Sequence, residues 1–151
     1  MTYQEALVPL IEDAYGDLFK SAERLGDKIS FKAAETNRTP LEVLIECATV
    51  PGFLAPTIRN RALAPMDAEK PHEESGLDSV EACRTHFNSV KEDLYDAIRS
   101  FPAEELLNTI ETPWGTFTWR DFIAYAYWNP MYHFGQIAYV QMIHGDTEMG
   151  F

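Results

Sequence analysis

The sequence has few of the features that would set it apart from ordinary globular domains. Only two of its 151 residues are cysteines, Cys47 and Cys83, and they lack the CxxC spacing of metal or redox sites. We interpret both as buried free thiols. Its apolar runs end well short of the ~18 residues that a membrane span needs, and acids stand near the N-terminus where a signal peptide has bases. We therefore expect a cytoplasmic protein that does not bind membranes.

Basic residues are also scarce, because 12 Lys and Arg oppose 24 Asp and Glu and give a formal net charge of −12. Such a surface repels phosphate backbones, and no cluster of Lys or Arg offsets it, so nucleic acid is not an expected partner. Hydrophobic residues, by contrast, make up 46% of the chain. At this length they predict a single domain over residues 1–151 with a substantial core.

Four long segments show the apolar spacing of amphipathic helices. The first is predicted from about Tyr3 to Leu25. The second opens at Thr39, which forms a capping box with Glu42 three residues later. Its interior contains Pro51 and Pro56, which should bend or divide it.

The third helix is predicted to begin at a cap on Asp78, and the fourth begins after Thr118 and ends near His144, where Gly145 stops it. The polar segment 64–77 between helices two and three can reach ~45 Å when extended. That exceeds the ~30 Å length of a 20-residue helix. We therefore predict an all-α four-helix bundle of up-down-down-up topology with this long crossover. A Gly turn between β-forming residues ahead of helix four also suggests a short hairpin.

Two polar residues interrupt the aromatic run WNPMYHFGQIAYV of the fourth helix. Asn129 and His133 lie one turn apart and share the face of Phe122 and Ala126. Polar side chains buried without partners are costly, so something should compensate them. Side chains at i and i+4 can offer two ligands to one metal ion. The alternative is a core histidine that is hydrogen-bonded to a neighbouring carbonyl or carboxylate.

The segment TPWGTFTWRDFIAYAYWNPMYHFGQIAYV resembles the last part of the DinB/YfiT-like superfamily of bacterial four-helix bundles. Members typically carry HxxxHxGQI on this helix and an earlier histidine on helix two, after a TPxE-like start. The resemblance covers nearly the whole chain, and its most specific part is the run from His133 to Ile137. It implies a divalent metal such as nickel or zinc, bound by three histidines inside the bundle. For some members it implies a metal-dependent hydrolase or a thiol-dependent transferase.

Carried over by position, the three family ligands become Glu46, Asn129 and His133 in this sequence. Only one imidazole remains, whereas zinc and nickel prefer imidazoles, so a metal here should be weakly bound. Alternatively the metal is lost, and Glu46 either is solvated or forms a hydrogen bond directly with His133. The other histidines are interpreted as solvated, boundary or helix-end residues and not as ligands: His72, His86 and His144.

Two classes of function stay open at this point. In the first, the metal activates a bound water or a substrate thiol, and the protein is an enzyme. In the second, the bundle is a non-catalytic protein that binds a small molecule or pairs with a second subunit. Helix four is apolar or aromatic nearly all round, so we predict a homodimer. Its stripe of aromatic residues is predicted to pack in the core, with a pocket wall or a subunit contact as the alternative: Tyr125, Trp128, Tyr132 and Tyr139.

Overall fold

A computed structural model describes residues 1–66 and 76–148. These residues are mostly helical and form four α-helices with a small two-stranded sheet. The sheet is the short hairpin that the Gly turn ahead of helix four suggested. Two short 3-10 helices follow α1 and α3. The elements are α1 (Tyr3–Arg24), α2 (Pro40–Asn60), α3 (Val80–Arg99), β1 (Thr109–Thr112), β2 (Gly115–Thr118) and α4 (Trp119–Ile143).

Side-chain caps determine where the helices begin. The hydroxyl of Thr39 accepts from the backbone N–H of Glu42, as predicted, and Thr118 caps α4 in the same way. The predicted cap on α3 is wrong, because Ser79 and not Asp78 caps this helix. The short Ser79 hydroxyl accepts from the N–H of Ala82, so α3 starts one residue later than expected.

Helix α2 runs without a break through both of its internal prolines, so the prediction that they could divide it is wrong. A proline at position 51 cannot donate to the carbonyl of Cys47 four residues earlier. The buried hydroxyl of Tyr15 on α1 donates to that carbonyl instead, at 2.7 Å. The tertiary hydrogen bond therefore satisfies the acceptor that Pro51 leaves free.

The four helices bury one continuous apolar core. Both cysteines lie in it as free thiols, as predicted. Burial raises the pKa of each thiol, that of Cys83 to about 11, so neither is a ready nucleophile. The largest fully buried apolar and aromatic side chains are Ile11, Tyr15, Leu18, Leu44, Leu54, Ile58, Leu94, Tyr95, Ile98, Ile123 and Ile137.

Contacts at the ends of α1 fix its neighbours. Near its start, the hydroxyl of Tyr3 donates to the carbonyl of Arg120 at the start of α4, at 3.0 Å. At its end, Arg24 forms an ion pair with Asp146, just beyond the end of α4, at 2.8 Å. The first turn of α1 also meets the end of α3, because the side chain of Gln4 donates to the carbonyl of Phe101, two residues beyond that helix.

Helices α2 and α3 pack together along their lengths. Arg59 near the end of α2 forms an ion pair with Asp93 in the second half of α3, at 2.5 Å. The crossover that joins these helices was predicted over residues 64–77, and most of it, including His72, lies outside the described residues.

Helix α2 is the one described helix that is long and apolar enough to cross a membrane. Of its most apolar window, 56% is buried inside the bundle. A core helix of a soluble protein meets the same criterion, so this helix is weak evidence for a membrane span.

The hairpin of β1 and β2 is antiparallel and pairs Ile110 with Phe117. It turns at Gly115, which has a φ of 130°. Glycine adopts this angle without strain, whereas a residue with a side chain would be strained. Because β2 runs directly into α4, the hairpin holds Trp114 and Phe117 beside the first turns of that helix.

Candidate functional site

Helices α2 and α4 bring together the three residues that the sequence singled out. One carboxylate oxygen of Glu46, Oε1, lies 2.9 Å from the Asn129 amide nitrogen and 3.0 Å from His133 Nε2. Asn129 and His133 are buried, and the Glu46 side chain is 15% exposed. Of the two metal-free alternatives for Glu46, the direct hydrogen bond to His133 is the one present.

The second carboxylate oxygen of Glu46 is held by Arg38, whose Nη1 donates to Oε2 at 2.5 Å. Burial by itself would raise the pKa of Glu46. The hydrogen bonds and charges of His133 and Arg38 outweigh that effect and lower the pKa to about 2. Glu46 is therefore a carboxylate throughout the neutral range, and it accepts from three side chains.

Both ring nitrogens of His133 contact oxygen atoms. Nε2 faces Glu46, and Nδ1 lies 2.7 Å from Oε1 of Gln136, one turn further along α4. Glu46 is a carboxylate and can only accept, so Nε2 of His133 carries a hydrogen and donates it to Glu46.

Asn129 is held by two contacts through its amide nitrogen, which also donates to the hydroxyl of Tyr125 at 3.0 Å. Turning the amide over would set its oxygen against Glu46 Oε1, so the carboxylate fixes its orientation. The amide oxygen is buried and has no hydrogen-bond partner among the described residues.

The donor set does not fit the zinc or nickel site that the family resemblance implies. A metal-binding imidazole must offer a lone pair, whereas Nε2 of His133 needs a hydrogen to meet Glu46. Asn129 presents its nitrogen to the carboxylate, and the positive charge of Arg38 opposes a second cation there. In the described ranges, no three His, Cys, Asp or Glu side chains form a group that could hold a metal. The metal ligand set Glu46, Asn129 and His133 therefore remains an untested prediction that this geometry disfavours.

Sequence reasoning missed three members of this cluster. Arg38 precedes the Thr39 cap, and a signal was available, because a cation just before a helix can fold back onto an acid two turns in. Gln136 stood inside the HFGQI motif, at i+3 from His133, a spacing that places both side chains on one face. Tyr125 was assigned to the aromatic stripe and not to the polar cluster.

Two clefts open on either side of the cluster, and Arg38 lines both. The first, which we call the His133 cleft, has a volume of about 570 Å³. It lies between the 31–43 segment and α4, and its walls are Phe31, Ala33, Asn37, Arg38, Pro40, Val43, Tyr132, His133, Gln136, Ile137, Tyr139, Val140 and Ile143. The second, the hairpin cleft, measures about 490 Å³. Its lining includes Glu46, Asp121 and the hairpin residues Trp114 and Phe117.

The aromatic stripe of α4 is largely on the surface, so the prediction that it packs in the core is wrong. Trp128, Tyr132 and Tyr139 are 55%, 51% and 65% exposed. The first two stack on each other with ring centroids 5.1 Å apart. Within residues 1–66 and 76–148, no element covers this side of α4. Two of the three residues line the His133 cleft.

The site is defined by the chain's own residues. The HFGQI run supplies two of its side chains, His133 and Gln136, while the position of Glu46 departs from the family pattern quoted above. No protein-family model, curated protein or solved structure matches the chain.

Proposed function

We propose that this protein is a non-catalytic binding protein for a small organic molecule, which it holds in the His133 cleft. One observation carries the proposal: three members of the hydrogen-bonded cluster, Arg38, His133 and Gln136, form one wall of a largely apolar, open cleft of about 570 Å³. Ligand sites in proteins typically combine an apolar lining with a few fixed polar groups, at volumes of about 300–1,000 Å³. Glu46 fixes the side chains of Arg38 and His133 from behind, so the polar groups are pre-organised.

The same contacts argue against acid–base chemistry at His133. A general base needs a ring nitrogen with a free lone pair within reach of the substrate. In the cluster, Glu46 and Gln136 each face one of the two nitrogens. Glu46 itself is tied to three donors. The groups are arranged to donate hydrogen bonds and not to remove protons.

The test is a screen of small organic fragments by NMR, with methyl-labelled protein that reports on each wall of the cleft. We expect the hits to shift signals of Val43, Ile137, Val140 and Ile143, which line the cleft. Methyl groups of Leu54 and Leu94 in the core serve as the internal control. A screen whose hits all bind elsewhere, or that gives none at millimolar concentration, would contradict the proposal.

We also propose that the chain is a metal-free member of the DinB/YfiT-like bundles, with helices in up-down-down-up order and a cytoplasmic location. The contacts of α1 with α4 at both ends, and the Arg59–Asp93 contact between the second halves of α2 and α3, support parallel pairs of helices in this order. The HFGQI motif and the capping box of α2 support the family. An experimental structure with α2 and α3 antiparallel would contradict the topology.

For quaternary structure, we propose a homodimer formed through the exposed stripe of α4. From residue 122 to residue 145 the chain has no Asp, Glu, Lys or Arg. Two copies of a chain with a net charge of −12 can therefore meet on this face without opposing their carboxylates. Trp128 and Tyr132 supply the kind of aromatic surface that is enriched at interfaces. A monomeric mass by light scattering at micromolar concentration would contradict this, whereas Trp128→Glu should dissociate a dimer.

A further inference from the structure

We infer that the ligand of the His133 cleft is an amphipathic monoanion, a carboxylate with an apolar body. This inference rests on the proposed function and names the chemical class that the cleft selects. It is carried by the charges on the cleft wall and by the hydrogen-bond donors that face it.

Among the described residues, no acid lines the His133 cleft, although acids outnumber bases two to one in the chain. Arg38 is part of this lining, whereas Glu46, the acid that pairs with Arg38, is not. The charged group that the cleft presents to a ligand is therefore positive. An anion is attracted to it, whereas a cation is repelled.

The donors are placed to bind that anion. Gln136 is an exposed residue of the lining whose amide lies 2.7 Å from Nδ1 of His133. Its side chain can rotate and donate its amide N–H groups to an anion in the cleft. Arg38 uses Nη1 for Glu46, and its guanidinium has further N–H groups in a planar fork that matches a carboxylate.

The rest of the cleft fits an apolar body. Ile137, Val140 and Ile143 of α4 face Val43 and Phe31 across it. Burying a hydrocarbon or aromatic group against them contributes affinity in proportion to the apolar area that leaves water. A ligand with one anionic end and one apolar end therefore satisfies both parts of the wall.

The hairpin cleft is a control within the same molecule. It shares Arg38 but adds the carboxylates of Glu46 and Asp121, and its other walls are mainly aromatic. Its carboxylates outnumber its cations, so a small anion should prefer the His133 cleft. Signals from Trp114 and Phe117 report on this second cleft.

Three probes test the inference: 3-phenylpropionate, 3-phenylpropan-1-ol and 3-phenylpropylamine. They share a phenyl body and differ in the group at one end, which is anionic, neutral or cationic at pH 7. NMR titrations follow the methyl signals of the His133 cleft and the aromatic signals of the hairpin cleft. We expect the propionate to bind in the His133 cleft about tenfold more tightly than the alcohol, because charge-assisted hydrogen bonds are roughly twice as strong as neutral ones. The amine should bind there most weakly.

Variants then assign the effect to the named donors. Arg38→Gln should weaken the propionate about tenfold and leave the alcohol unchanged, and Arg38→Lys should restore part of the loss. Arg59→Gln, which removes another surface arginine that pairs with an acid, is the matched control and should change neither. Gln136→Glu places a carboxylate in the same lining as Arg38 and should abolish the preference of the propionate over the alcohol.

The outcomes separate the two proposals. If the alcohol or the amine binds in the cleft as tightly as the propionate, the anion inference is overturned and the proposed binding function stands. If none of the three probes shifts the cleft signals at millimolar concentration, the proposed function is overturned as well. Unchanged propionate affinity in both Arg38→Gln and Gln136→Glu would overturn the assignment of these two residues.

Discussion

Truncation of Glu46 to alanine should destabilise the protein far more than the loss of an ordinary surface acid. The carboxylate accepts from Asn129 and His133 through Oε1 and from Arg38 through Oε2. Its removal leaves two buried donors without an acceptor, at about 1–3 kcal/mol each. Arg38 is 45% exposed and regains water, so it adds little.

The alanine variant no longer has to bury a carboxylate, and this gain offsets part of the destabilisation. We therefore expect a decrease of about 2–3 kcal/mol in the free energy of unfolding, which is a fall of about 5–10 °C in Tm for a chain of this size. Urea denaturation and calorimetry at pH 7 measure both quantities. Asp93→Ala removes the acid of the exposed Arg59 pair and is the control, with an expected cost of about 1 kcal/mol or less. A Glu46→Ala variant within about 0.5 kcal/mol of that control would refute the reasoning.

Three further predictions follow from named contacts. Because the pKa of Glu46 is about 2 in the fold and near 4.5 when unfolded, its stabilising contribution is complete above pH 4.5 and is lost as the pH falls toward 2. The difference in free energy of unfolding between the unmodified protein and Glu46→Gln should therefore become smaller as the pH falls from 4.5 toward 2. Tyr15→Phe should lower the free energy of unfolding by about 1–2 kcal/mol. It removes the hydroxyl that donates to the Cys47 carbonyl, which Pro51 cannot reach with a backbone N–H. Asn129→His adds a second imidazole beside Glu46 and should raise zinc or nickel affinity by about tenfold or more in calorimetric titrations.

Each of these has its own control or contradicting outcome. A constant gap between the protein and Glu46→Gln from pH 7 to pH 2 would contradict the lowered pKa. For Tyr15→Phe, Pro51→Ala in the same background should recover part of the loss, because it lets the helix donate to that carbonyl again. For the metal, Asn108→His at a position outside the cluster is the control, and equal affinities in both variants would contradict the shared site.

The sequence was sufficient for the elements whose signals are local. Capping residues and apolar spacing predicted the four helices nearly to their ends, and the one-turn spacing of Asn129 and His133 predicted their shared face. The error at Asp78 shows the limit of such signals. Asp78 and Ser79 are neighbours that can both cap a helix, and the sequence does not tell which side chain reaches the backbone N–H. The carbonyl that Pro51 leaves free in α2 is satisfied by Tyr15, a residue 36 positions before Pro51, and no local pattern contains that contact.

The candidate site was predictable in part for the same reason. Helical periodicity placed His133 on the inner face, but whether Glu46 meets solvent, metal or histidine depends on how α2 and α4 rotate against each other. Arg38 lies in an irregular segment, whose path has no periodicity to read. The exposure of Trp128 and Tyr132 follows from the number of helices available to cover α4, which composition does not reveal.

The nitrogen NMR spectrum of the His133 ring tests the account most directly. Protein labelled with ¹⁵N-histidine is recorded at pH 7 alone, with 3-phenylpropionate and with one equivalent of zinc, and His133→Gln assigns the signals. The account predicts a hydrogen on Nε2, a shift at Nδ1 when the propionate binds, and no loss of the Nε2 hydrogen with zinc. An Nε2 that has no hydrogen, or that loses it to zinc, would contradict the hydrogen-bonded cluster and return the site to metal binding.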